Sequence, residues 1–213
     1  DFKDTAKPVV EKVEFDFSHS GYNLCIVDTK GDHADLTPEY GAIPTEMRAV
    51  AACFGKEVLR EVDEDEFYAR LGEIHPKVSD RALVRAIHFF SDNARVPMQV
   101  AALRGGDFER FKELIIESGR SSAMYLQNVF ASSDPEHQGL SVALSLSERM
   151  LAGCGAWRVH GGGFAGTIQA FVPDNKLEAY RAGIESVFGK GSCHVLSIRP
   201  VGGCEITAEL ANA

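Results

Sequence analysis

The spacing of apolar and polar positions changes twice along the chain. Val13-Glu14-Phe15-Asp16-Phe17 alternates with period two, His19-Ser20-Gly21 reads as a turn, and Tyr22 to Asp28 is a second strand-like run, so 13–28 predicts a β-hairpin. From 37 to 153 the apolar residues recur at helical spacing. Thr37-Pro38 looks like an N-cap followed by proline at the first helical position. Pro44 is expected to interrupt or kink that helix, leaving a firmer one from about Thr45 to Phe54 before Gly55. A short helix follows over 64–71. Ser79 is placed to cap a long helix carrying Leu83, Ile87, Phe90, Ala94 and Met98 on one stripe, running to Leu103 and ending at Gly105-Gly106. Asp107 caps the next, through Phe111, Leu114 and Ile115, and Asp134-Pro135 opens another that ends at Gly153. Then strands return at 156–160 and 167–172, followed by a helix over 174–188, a strand over 193–198 and a short strand at 205–207. This order predicts an α+β fold, a helical layer packed on one face of a mostly antiparallel sheet.

Between the two central strands lies Gly161-Gly162-Gly163-Phe164-Ala165-Gly166, a G-x-G-x-x-G pattern. A dinucleotide site needs a helix directly after such glycines, and here the β-branched and aromatic run Thr167 to Val172 follows. No Gly-Lys-Ser/Thr follows for a Walker loop. No His-Arg-Asp or Asp-Phe-Gly accompanies the glycines, as a protein kinase requires. Two explanations stay open on spacing alone: a structural glycine hairpin, or a bend whose bare main chain comes close to a ligand.

Composition narrows the function classes. The 213 residues carry a net charge of −9 with no Lys/Arg-rich block, which argues against nucleic acid or an anionic membrane as main partner. No apolar run reaches the roughly 18 residues of a membrane span, and no signal peptide opens the chain. Cys25, Cys53, Cys154, Cys193 and Cys204 are odd in number and contain no C-x-x-C pair, so neither a disulfide framework nor a zinc site is expected. Cys25 and Cys53, in apolar stretches, read as buried small hydrophobes in a reducing, cytoplasmic setting. The chain starts at Asp1 without a Met, and a longer parent polypeptide is expected.

Several polar groups invite chemistry. Asp32, His33 and Asp35 could ligate a metal, although polar loops are rich in such residues. His160 directly precedes the glycines and could face either a cleft or the sheet. His88, beside Phe89 and Phe90, reads as a core histidine, and Arg158 as either a phosphate contact or a salt bridge. Asp63 to Glu66 is a helix start whose acids suit the dipole. Ser118, Ser121 and Ser122 have no His/Asp pattern beside them, so no hydrolase triad is expected.

Gly161 to Thr167 with its flanks Ala156 to Val172 resembles the third signature motif of the GHMP small-molecule kinases, and specifically of the galactokinases. His33 to Tyr40 is similar to the galactokinase segment before its long helix. Arg85, His88, Asn93 and Arg95 sit as in that family's arginine- and asparagine-bearing helix, and Ser118, Ser121 and Ser122 as in its serine-rich turn. The resemblance implies the C-terminal domain of a GHMP kinase, with a ferredoxin-like core over 37–213 and an interdomain hairpin or linker over 1–36. It implies ATP-dependent phosphorylation of the C1 hydroxyl of galactose with Mg²⁺, Tyr40 as a substrate contact, and Gly161, Gly162, Gly163, Phe164, Gly166 and Thr167 lining the cleft. The family's first motif, its phosphate loop and its catalytic Asp segment are absent from these residues. This chain is therefore expected to hold no catalytic residue or metal ligand of its own, to be inactive alone, and to dock an N-terminal half that binds most of the ATP and Mg²⁺. That docking surface should show as an exposed apolar patch, and the hairpin over 13–28 should have sheet neighbours in the other half. The alternative is a non-catalytic galactose sensor or scaffold on the same fold. The sequence departs from the family at Ala165, where Gly is common, and at Gly41 to Pro44, where a polar, arginine-bearing stretch is frequent.

Overall fold

The computed structural model describes residues 1–31, 36–164 and 166–197. Asp32, His33, Asp35, Ala165, Cys204 and the strand expected at 205–207 lie outside the described residues.

Among the described residues, four strands form one antiparallel sheet: β1 (Tyr22–Asp28), β2 (Ala156–Val159), β3 (Thr167–Pro173) and β4 (Cys193–Leu196), in the order β2-β3-β1-β4. The described residues also form seven α-helices: α1 (Thr37–Ala52), α2 (Glu64–Ala69), α3 (Leu71–Ile74), α4 (Asp80–Arg104), α5 (Phe108–Ser121), α6 (Gly139–Leu151) and α7 (Leu177–Phe188). With α1 to α6 as the first crossover and α7 as the second, the β-α-β-β-α-β order and the central β3–β1 pair form a ferredoxin-like core, whose strand β1 comes from the segment 1–36 that was expected as hairpin or linker.

The sheet is apolar on both sides because its strands alternate between two cores. Cys25, Val27, Ile168, Ala170 and Val172 meet Leu140, Ala143, Leu151, Tyr180 and Ile184 of α6 and α7. Tyr22, Leu24, Ala156 and Phe171 point the other way, onto Phe111 and Ile115 of α5. Helices therefore cover both faces, where the sequence suggested one. A third core joins Val50 and Ala51 of α1 to Ala82, Leu83, Ala86 and Phe90 of α4, with Phe67 and Ile74 beneath.

Two of the expected caps form, and the third does not: Thr37 is already the first residue of α1, Leu36 holds the N-cap position, and no side chain caps that helix. Ser79 accepts from the Ala82 amide at the start of α4, and Asp107 from that of Arg110 at the start of α5. Other expectations fail. The hairpin over 13–28 does not form: 13–16 belong to no strand, Phe17–His19 is a single 3₁₀ turn capped by Asp16, and β1 pairs with β3 and β4 instead. The alternation of Phe15 and Phe17 serves aromatic packing, with ring centroids 5.8 Å and 6.2 Å from that of Phe108. Because β1 is a central strand, both its neighbours come from within this chain.

Pro44 does not interrupt α1, which runs unbroken through it and ends at Ala52. An internal proline removes one backbone bond and crowds the preceding turn, at about 3 kcal/mol. The fully buried Val50 and Ala51, packed against α4, offset that cost. Similarly, α6 begins at Gly139, five residues after Asp134, whose carboxylate lies 2.8 Å from His137 Nδ1. Cys25 and Cys193 are buried as free thiols, while Cys53 is only half-buried, with Sγ 3.5 Å from the Ala49 carbonyl.

Candidate functional site

The segment between β2 and β3 is a tight bend, closed by the His160 amide donating to the Thr167 carbonyl at 3.0 Å. Gly161, Gly163 and Gly166 all have positive φ, at 67°, 82° and 104°, and so does Phe164 at 61°. Only the last is costly for an L-residue, by about 1–2 kcal/mol. Phe164 is held there by burial with Leu36 and Ala131 and by its amide, which donates to the Asn128 carbonyl at 2.5 Å. At the far end, the Gly166 carbonyl accepts from the Thr29 amide at 2.9 Å and the Thr29 hydroxyl at 2.8 Å, tying the bend to the end of β1.

The glycines are required by the protein's own chain. A Cβ on Gly163 would stand 2.0 Å from the Asn128 carbonyl oxygen, and one on Gly162 would stand 2.7 Å from Tyr40 Cε1. Asn128 Nδ2 donates to the Gly162 carbonyl at 3.1 Å, and Tyr40 Oη donates to the Gly163 carbonyl at 2.8 Å. The Tyr40 ring meets Phe164 edge-on at 5.1 Å, and its burial raises the phenol pKa. The first helical turn of α1 is thereby clamped onto the bend. Gly161 and Gly162 remain exposed, and nothing lies within 4 Å of where a Gly161 Cβ would be. Thr167 opens β3 opposite Asp28.

Thus the structure brings Tyr40 together with Gly162, Gly163 and Phe164, positions that the sequence connects only through family resemblance. Asn128 is the central residue that sequence reading missed. It lies in a polar loop after a π-helical turn (Ser122–Leu126) and Gln127, a non-glycine at φ 58°. Its contacts with the bend span 34 residues and leave no local pattern. Its Oδ1 is buried without a partner among the described residues.

The remaining candidates separate. His160 is exposed and its Nδ1 lies 2.9 Å from Gln169 Oε1, on the sheet face that also carries Arg158. Arg158 turns into the body of the protein, donating to Ser118 Oγ at 2.6 Å, and burial lowers its pKa. His88 is a core histidine: Nδ1 lies 2.9 Å from Ser121 Oγ and Nε2 3.8 Å from Asp92. This Ser-His-Asp sequence of contacts is sealed, with Ser121 only 3% exposed, so no substrate reaches it. Burial is also the chief reason the His88 pKa is lowered. Asp63 caps α2, accepting from the Glu66 amide at 2.9 Å, as a helix-start acid should. Arg95 pairs with Asp92 at 3.3 Å and Arg85 with Glu46 at 2.8 Å. Among the described residues, no group of three or more His, Cys, Asp or Glu side chains could hold a metal ion, and no helix is long and apolar enough to cross a membrane.

No family model matches this sequence. Individual proteins do. The galactokinase of Glaesserella parasuis serovar 5 is 32% identical over 161 residues, 76% of this chain and 40% of that protein. The galactokinase of Streptomyces coelicolor is 28% identical over 187 residues, 88% of this chain and 46% of that protein. By sequence, the chain is a galactokinase homologue. It spans under half the length of these galactokinases. The crystal structure of Lactococcus lactis galactokinase complexed with galactose superposes with a TM-score of 0.70 at 22% identity, over 91% of this chain and 48% of that one, and so shares its fold.

Proposed function

We propose that this chain is the C-terminal portion of a galactokinase, which transfers the γ-phosphoryl group of ATP to the C1 hydroxyl of galactose. The observation that carries the reading is the clamp of Tyr40 onto the glycine bend, since both segments resemble galactokinase sequence and they meet at one exposed stretch of main chain. The sequence similarity to galactokinases over most of the chain supports it independently.

In this reading the sugar lies against Tyr40 and the exposed Gly161-Gly162 main chain, where the absence of side chains permits close approach. Phosphoryl transfer depends chiefly on positioning and on stabilising spread charge. The chain's part is positioning: Asn128 and Thr29 fix the bend, and α1 fixes Tyr40. In this reading ATP, Mg²⁺ and the catalytic Asp belong to the other half, since the family's first motif, phosphate loop and catalytic Asp segment are not among these residues. Mg²⁺ there supplies charge neutralisation on the phosphates. That half also covers part of the surface where Val195 and Leu196 of β4 are exposed.

The test is ADP release dependent on galactose, measured on this chain and on a full-length polypeptide containing it. The reading expects turnover from the full-length protein and none from the chain alone. Turnover by the chain alone contradicts the division of labour. Galactose binding by the full-length protein without turnover favours the sensor alternative.

A further inference from the structure

Asn128 is 2% exposed and holds the glycine bend with two different groups. Its main-chain carbonyl accepts from the Phe164 amide, and its side-chain Nδ2 donates to the Gly162 carbonyl at 3.1 Å. A carbonyl only accepts, so the amide must turn Nδ2 and not Oδ1 toward it. Oδ1 is buried with no partner among the described residues. A buried acceptor is normally satisfied, and leaving one open costs about 1–3 kcal/mol. One hydrogen bond, to one peptide carbonyl, therefore sets the orientation of this amide.

A half-turn about χ2 exchanges Nδ2 and Oδ1 with little change of shape, because that torsion is broad and roughly two-fold. Oδ1 would then oppose the Gly162 carbonyl unless the Gly162–Gly163 peptide turned over as well. Turned over, that peptide points its N–H at Asn128 and gives Oδ1 the donor it lacks. Each arrangement uses one pole of the amide and leaves the other open, so neither gains a hydrogen bond over the other.

The chain permits the turn at this one peptide. Both residues flanking it are glycines, which take either sign of φ. Gly163 stands at φ 82°, and the turn brings it to negative φ. The groups around it are pinned: Tyr40 Oη donates to the Gly163 carbonyl at 2.8 Å, the Phe164 amide is held by the Asn128 carbonyl, and the His160 amide by that of Thr167. A trans peptide carries its N–H and C=O on opposite sides. With the Gly162 carbonyl on Asn128, the Gly163 N–H points away from it, and no acceptor among the described residues takes that N–H. This state offers a donor, and the turned state offers an acceptor.

We propose that Asn128 is a positioning residue whose amide selects which pole of the Gly162–Gly163 peptide faces the sugar beside Tyr40, the N–H state being the one that binds. The identity of the ligand rests on the galactokinase reading; the coupling of amide to peptide does not.

The experiment is Asn128→Asp in the full-length polypeptide, since a carboxylate accepts but cannot donate. The peptide should turn to meet it. The Gly163 amide proton is then expected to move downfield by about 1 ppm in the NMR spectrum, through a charge-assisted bond, and to return as the new carboxyl is protonated. The KM for galactose should rise at least fivefold while kcat changes less than twofold. In a folded variant, a Gly163 proton that stays in place or moves upfield overturns the proposal, because mere loosening of the bend does the same. A downfield proton with an unchanged KM also overturns it. Should the variant not fold, relaxation dispersion on the parent decides. Exchange at one common rate is expected at the Gly163 nitrogen and the Asn128 side-chain nitrogen, and flat profiles at both overturn the proposal. A parent that neither binds nor turns over galactose defeats the galactokinase reading instead, and the Gly163 proton alone then decides the coupling.

Discussion

Tyr40 and Gly163 lie 123 residues apart and are joined by a 2.8 Å hydrogen bond from the phenol to the glycine carbonyl. The contact exists because Gly162 has no side chain where the tyrosine ring passes. It links the helical half of the chain to the turn of the sheet. Tyr40→Phe removes the bond but leaves the ring contact with Phe164, so a loss of about 1 kcal/mol is expected in urea unfolding. An unchanged midpoint would mean that water replaces the bond at no cost.

The glycines of the bend should differ sharply in tolerance. At Gly163 an added methyl meets the Asn128 backbone at 2.0 Å and the φ of 82° is unfavourable for any L-residue. Gly163→Ala should therefore cost more than about 3 kcal/mol or prevent folding. At Gly161 the φ is similar but the space is open, so Gly161→Ala should cost only about 1–2 kcal/mol. Equal losses at the two positions, measured by chemical denaturation, would contradict this packing.

Gly119 offers a test in which helix propensity and packing oppose each other. In an exposed helix, Gly→Ala stabilises by about 1 kcal/mol. Here the new Cβ would lie 2.9 Å from Arg158 Cβ and 3.1 Å from the Trp157 carbonyl, where α5 crosses β2. Gly119→Ala should lower the melting temperature, and a rise would show that α5 can move off the strand.

Stability should also respond to pH through His88. Burial holds its imidazole below the ordinary 6.5, and Asp92 offsets this only in part. The unfolded chain then takes up a proton that the folded chain resists. The neutral histidine's contribution is thus complete above about pH 6.5 and is lost as pH falls from there toward the folded-state pKa. His137 is raised by Asp134 and acts with the opposite sign, although both groups are exposed. Comparing His88→Gln with the parent chain between pH 7 and 5 isolates the effect: the parent's unfolding free energy should fall more steeply, and parallel curves would refute it.

Legibility in the sequence followed the range of the determining contact. Ser79 and Asp107 announce α4 and α5 because a cap is satisfied within three residues. The glycine bend was visible because its strands flank it directly. The false hairpin arose because Phe15 and Phe17 alternate for an aromatic cluster, and period two is the same signal in or out of a ladder. The continuity of α1 through Pro44 depends on packing against a helix some forty residues later, which no local pattern encodes. Asn128, Ser132 and Ser133 are loop residues whose partners, the Gly162 carbonyl and the Glu39 carboxylate, lie 34, 93 and 94 positions away.

The most direct test of the account is amide hydrogen exchange across residues 160–164 of the full-length polypeptide, with and without D-galactose. The account predicts that the sugar saturably slows exchange at Gly161 and Gly162, the exposed part of the bend beside Tyr40. Galactose binding that leaves those two amides unchanged would contradict it.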